Sequence, residues 1–202
     1  MNFLSVSALI DISLRCNKSK AIKWKNILNM EILEHIRTIR DHPEPGVLFY
    51  DISTLLGNPK AWKYTIRSQA KRIKQYDINK IIGIESRGFL VAAPLAIELE
   101  HALVMVRKKG KLPGSTVSQN YGLEYGFDTL EIQTDAVSEG DNVIVIDDVL
   151  ATGGTAIATT KLLRRMGANV ISAAFIIELS KLGGRDRLGL PLISLVNAET
   201  DL

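Results

Sequence analysis

The stretch "VIVIDDVLATGGTA", residues 143 to 156, sets two adjacent carboxylates at the end of an apolar run and follows them with Thr-Gly-Gly-Thr. Backbone amides at a helix start, approached closely through glycine, bind phosphate, and here Thr152 and Thr155 add hydroxyl donors beside Ala151, Gly153 and Gly154. Asp147 and Asp148 cannot hold a phosphate. They can accept hydrogen bonds from sugar hydroxyls, or organise a diphosphate through a metal ion. Together the two kinds of recognition describe a site for a ribose bearing a 5′-phosphate. Competing phosphate signatures fail: the chain has no glycine-x4-Gly-Lys-Ser/Thr run, and "GIESRGF" matches neither that nor the three spaced glycines of a dinucleotide loop.

Such a site needs a strand to carry the carboxylates and a helix to begin after the glycines. "NVIVI" and "TAIATTKLLRRMGA" supply them, and "KIIGI", "ALVMVR" and "NVISAAFIIEL" are further apolar runs of strand length, the first two separated by the helical "SRGFLVAAPLAIELE". Strands alternating with helices predict an α/β fold, an open and mostly parallel sheet with helices on both faces, whose ligands bind beyond the carboxyl ends of the strands. Upstream, Ile32, Leu33, Ile36 and Ile39 share one face of a helix expected over 31–40, with Glu31 and Glu34 early and arginines late. "DHPEPG" ends it, because neither proline continues a helix. "NPKAWKYTIRSQAKRIKQY" predicts a helix capped by Asn58 with Pro59 in its first turn. "KKGKLPGSTVSQNYGLEYGFDTLEIQ" breaks the alternation with two short β-like runs around Asn120 to Gly126, and is expected to form a hairpin flap.

With 202 residues, 46% of them hydrophobic, the chain suits one domain, expected over 30–202, preceded by an extension over 1–29 that lies outside the core. That extension holds Arg15, Lys18, Lys20, Lys23 and Lys25 against Asp11 alone, a net +4 that leaves the remainder at −1 of the total +3. The body therefore lacks the basic excess of a nucleic-acid binder. In the extension the charges follow the apolar stretch, the reverse of a secretory signal; an organellar transit peptide and an upstream extension ahead of a start at Met30 both fit, and composition favours the second. Cys16 is the sole cysteine, which excludes an intrachain disulfide and a multi-thiolate metal site and allows a reducing compartment. No apolar run reaches bilayer length, so no membrane association is expected. His35, His42 and His101 lack metal or triad spacing and are expected in surface or turn roles.

The run at 143–156 resembles the phosphoribosyl-diphosphate signature of the type I phosphoribosyltransferases. Three further stretches, "DHPEPGVLFYDISTLL", "GIESRGFLVAAPLA" and "VRKKGKLPGSTVSQNYGLEYGFDTLEIQ", resemble the branch of that family that acts on adenine, and the likeness runs from about Met30 to the C-terminus. The resemblance implies the type I fold with a β-hairpin flap and a small N-terminal hood, a homodimer, and a cytoplasmic enzyme of purine salvage. The implied reaction joins adenine to 5-phosphoribosyl 1-diphosphate, giving AMP and diphosphate with Mg2+ carried by the diphosphate. It assigns residues 151–155 to the 5′-phosphate, Asp147 and Asp148 to the ribose hydroxyls, and Arg87, in the turn at Glu85 to Arg87, together with Lys108 to the diphosphate. It gives Glu124 of the flap the acid–base work at adenine N7, lays Tyr125 along the closed flap near phosphoribosyl diphosphate, and places Leu48, Tyr50 and Leu179 around the base, with Phe49 nearby. Leu48 and Leu179 are equally compatible with ordinary core, and Tyr50 departs from the family, many of whose members have arginine there. Two rivals remain: a related transferase preferring another 6-substituted purine, and a regulator that binds phosphoribosyl diphosphate as a signal, whose only support is the basic extension.

Overall fold

Strict alternation in "NVIVI" sends Val143 and Val145 to one side of a central strand and Ile144 and Ile146 to the other, and all four are fully buried. A strand buried on both faces belongs in the middle of a covered parallel sheet. The computed structural model describes residues 32–122 and 127–198. In chain order these form β1 (Arg37–Arg40), β2 (Leu48–Asp51), α1 (Ser53–Leu56), α2 (Pro59–Ile73), β3 (Lys80–Ile84), α3 (Arg87–Leu99) and β4 (Ala102–Lys108). There follow β5 (Thr116–Gly122), β6 (Phe127–Gln133), β7 (Asn142–Ile146), β8 (Val149–Leu150), α4 (Gly154–Arg165), β9 (Asn169–Leu179), α5 (Gly184–Leu188) and β10 (Leu192–Ala198).

The main sheet runs β10-β9-β7-β3-β4-β6-β5, with β8 added beside β9. Strands β10, β9, β7, β3 and β4 are mutually parallel, and β6 and β5 extend them as an antiparallel hairpin. One core lies between the sheet and helices α2 and α3, built on Ile81, Ile144 and Ile176 with Ile73, Val91 and Leu95. The other faces α4, through Ile82, Val145, Phe175, Leu162 and Leu163. The α/β reading, with helices on both faces and a hairpin, therefore holds. Helix α2 begins as its sequence predicts: the Asn58 side chain accepts from the N–H groups of Lys60 at 3.1 Å and Ala61 at 3.2 Å.

One element differs. The helix expected over 31–40 gives way at Arg37 to strand β1, which pairs antiparallel with β2 as a separate two-stranded sheet. Ile32 and Ile36 are buried as the helical spacing requires, but Ile39 lies on a fully exposed strand. Tertiary partners decide the matter: Arg37 pairs with Asp51, and its N–H donates to Thr54 Oγ1 at 3.0 Å. Hydrogen bonds from Ser53 and Arg37 in turn hold the Asp51 carboxyl down at about 2. The outcome carries Leu48, Phe49 and Tyr50 over the carboxyl ends of the main strands. The histidines keep modest roles; His42 packs edge-on against Phe49, ring centroids 5.0 Å apart.

Candidate active site

Strand β7 delivers Asp147 and Asp148 at its carboxyl end. Asp147 is half-buried and Asp148 is 3% exposed. The Asp148 N–H donates to Asp147 Oδ1 at 2.9 Å, so the first carboxylate is oriented by the backbone of the second. Arg87, at the start of α3, places Nε 3.0 Å from Asp148 Oδ2. The approach has the distance of a hydrogen bond but not its direction, which leaves that buried oxygen with spare acceptor capacity. Burial pushes both carboxyls above their ordinary values, Asp147 furthest because the Asp148 charge adds to it, while Arg87 partly offsets the rise at Asp148.

Immediately beyond, β8 hydrogen-bonds to β9 and the chain turns through residues 151–153 into α4. The turn requires the left-handed backbone of Gly153, at φ 82°. No side chain caps α4, so the N–H groups of its first turn are available to an anion. A pocket of about 110 Å³ is lined by Asp147, by residues 149–156 and by Phe175. Asp147, Ala151, Thr152, Gly153, Gly154 and Thr155 thus meet in one concavity, with Asp148 turned toward Arg87.

A second cavity of about 490 Å³ adjoins it, sharing Val149, Ala151 and Thr152. Its walls include Leu48, Phe49 and Tyr50 of β2, Leu179 at the end of β9, Leu182 and Arg87. Leu48, Tyr50 and Leu179 therefore line one cavity, and Tyr50 and Leu179 also belong to the core, each only 8% exposed. Phe49 is more than a neighbour: the Arg87 guanidinium lies 5.1 Å above its ring, held between that ring and the acidic pair.

On the other side, β4 ends in Arg107 and Lys108. Arg107 does not present its charge outward: Nε and Nη2 engage the Glu85 carboxylate at 3.2 and 3.3 Å. The Lys108 N–H donates to the same carboxylate at 2.8 Å, which ties the Glu85–Ser86 turn to the end of β4. Burial would raise Glu85, but these hydrogen bonds from Lys108 and Arg107 prevail and hold it below its ordinary value. The Lys108 ammonium lies 3.1 Å from Asp128 Oδ2, the acceptor that also takes the Tyr121 hydroxyl at 3.1 Å. Asp128 raises the pKa of Lys108. Burial first, and Asp128 second, raise that of Tyr121.

Glu124 and Tyr125 lie outside the described residues. Phe49's hold on Arg87, Tyr121, Asp128 and Leu182 were missed in the sequence. A signal existed for one pair, since Tyr121 and Asp128 stand opposite each other across the hairpin, but only its register reveals it.

Residues 52–188 match the phosphoribosyl transferase domain model. The chain is 55% identical over 171 residues to the adenine phosphoribosyltransferase of Rhodospirillum centenum, an overlap spanning 85% of this chain and 100% of that one. Among solved structures, the adenine phosphoribosyltransferase of Rhodothermus marinus superposes with a TM-score of 0.81 at 43% identity, covering 86% of this chain and 99% of the other. That of Saccharomyces cerevisiae, solved with an imino-altritol bisphosphate and adenine, does so with a TM-score of 0.78 at 35% identity, covering 86% and 99%. A glycine turn into a helix start, an acidic pair and an apolar cavity, gathered beyond the carboxyl ends of a parallel sheet in a chain so similar to these, have one reading: this chain belongs to the phosphoribosyltransferase family, in its adenine phosphoribosyltransferase branch.

Proposed function

We propose that the chain transfers the 5-phosphoribosyl group of 5-phospho-α-D-ribose 1-diphosphate to adenine, giving AMP and diphosphate in purine salvage. The carrying observation is the continuity of the two cavities, in which a largely apolar chamber with room for a purine shares Ala151 and Thr152 with the phosphate loop. In the reaction the bond from C1′ to the diphosphate oxygen breaks with its electron pair going to the leaving group, adenine N9 bonds to C1′, and the N9 proton is released. C1′ passes through an oxocarbenium-like state, so stabilising the departing charge and excluding water matter more than a strong nucleophile.

The residues divide that work. Residues 151–155 take the 5′-phosphate, and Asp147 with Asp148 take the ribose hydroxyls. Arg87 swings from Asp148 to the diphosphate, assisted by Lys108. Leu48, Tyr50 and Leu179 enclose adenine, whose donor and acceptors suit backbone groups. Glu124 hydrogen-bonds N7 and accepts or returns the proton as charge shifts on the purine, with Tyr125 closing over the substrates; both roles rest on the family motif "LEYG". Mg2+ would arrive on the diphosphate and neutralise part of its developing charge, and the oxygens of Asp147 and Asp148 are hard donors suited to its hydration shell.

A homodimer is supported by an apolar patch. Leu90 and Ile97 on α3, and Leu103 and Met105 on the same side of the sheet in β4, are 48%, 81%, 40% and 44% exposed. A cytoplasmic location agrees with a single cysteine, and among the described residues no helix is long and apolar enough to cross a membrane. Residues 1–29 are an extension to a domain at 30–202. The test is to supply the purified protein, with and without residues 1–29, with Mg2+, phosphoribosyl diphosphate and each purine base separately. AMP from adenine alone, at equal rates for both forms, is expected. Product from hypoxanthine instead would overturn the base assignment, and binding without product would favour the regulator.

A further inference from the structure

The two halves of the site are joined from behind by a short strut. Leu179 and Leu182 line the base cavity, and Gly183 leads from them to Gly184 beneath the phosphate loop. A Cβ on Gly184 would sit 2.2 Å from the Ala151 carbonyl oxygen, so backbone packs directly on backbone there. Any shift of residues 179–184 therefore moves base cavity and phosphate loop relative to each other.

Both ends of this strut are fixed by one ion pair, between the buried carboxylate of Glu178 and the half-exposed guanidinium of Arg185. Arg185 Nε donates to Glu178 Oε1 at 2.7 Å, and Nη2 donates to Glu178 Oε2. Ser194 Oγ donates to Glu178 Oε2 at 2.8 Å and accepts from Arg185 Nη2 at 3.3 Å. Glu178 is 3% exposed and stands in register with Leu150, just before the phosphate loop. Glu178 adjoins Leu179 of the base cavity, and Arg185 adjoins Gly184 under the loop. The pair therefore ties a residue beside the base cavity to one beside the loop, across the backbone contact of Gly184 with Ala151.

We propose that Glu178 and Arg185 are a positioning pair that sets the spacing between the adenine cavity and the 5′-phosphate loop, so that one nucleotide engages both at once. Their role rests on the adenine-to-AMP reading, and binding is measured so that the two can fail separately. By calorimetric titration, Arg185→Met weakens AMP by about tenfold or more while adenine and ribose 5-phosphate, each touching one half, change by no more than about twofold. Arg185→Lys, which keeps the charge and loses the planar fork, falls between. Thermal unfolding of each variant checks folding. Should Arg185→Met not fold, Arg185→Lys and Ser194→Ala carry the comparison. AMP and its two fragments weakening in equal proportion, or all three unchanged in a folded variant, overturns the proposal. A wild-type protein that binds AMP yet forms none from adenine strikes at the function and leaves the positioning pair standing.

Discussion

Asp147 bears two opposed demands. Its carboxyl is held well above the ordinary value by burial and by Asp148, so between the ordinary and the raised value the folded state holds a proton that the unfolded chain releases. Linkage then runs one way: stability is greatest below the ordinary carboxylate value and declines as pH rises through the raised one. In its proposed role Asp147 accepts from the ribose as the anion, so sugar-phosphate affinity is expected to decline in the opposite direction, as pH falls. Asp147→Asn is expected to stabilise the protein at neutral pH by about 1 kcal/mol in chemical denaturation and to weaken phosphoribosyl diphosphate in titration. A variant both less stable and undiminished in affinity would contradict this. Glu124→Ala is expected to lower turnover by about 10²-fold or more with little change in phosphoribosyl-diphosphate affinity, and near-normal steady-state rates would remove its assigned role. The acidic pair and the glycine turn were legible because they are contiguous in the chain. Phe49 over Arg87, and Asp128 between Lys108 and Tyr121, were not, because each contact joins residues that only the fold brings together.

Among the elements, α2 was read correctly down to its cap, because Asn58 and Pro59 act locally and carry their own signal. Asn58→Ala removes two hydrogen bonds to the first turn and is expected to cost about 1 kcal/mol, seen as a lower denaturation midpoint with unchanged slope; an unchanged midpoint would show the cap to be dispensable. Strand β1 was misread as helix because Ile32 and Ile36 obey a helical period that stops at Arg37. The partners that impose the strand, Asp51 and Thr54, lie well downstream. Strand β10 was overlooked for a related reason: Ser194 interrupts its apolar run, and its place is set by pairing along β9. The hairpin was expected near residues 120–126, and β5 and β6 flank that segment.

For the whole molecule, alternating strands and helices were enough to give the parallel sheet and to put the acidic pair at the carboxyl end of a central strand. The assembly was not written in the periodicity, because an exposed Ile97 looks the same in a sequence as a buried one. Ile97→Asp is expected to shift the protein from dimer to monomer in sedimentation velocity, while a monomeric wild type, or a dimer indifferent to the change, would put any interface elsewhere. One continuous cleft is expected to hold both halves of a nucleotide. The most direct test is a crystal structure with AMP bound. The 5′-phosphate should lie on the amides of residues 153–155, the ribose hydroxyls on Asp147 and Asp148, and the base between Leu48, Tyr50 and Leu179; a phosphate settled instead beside Lys108, with the base outside the cavity, would contradict it.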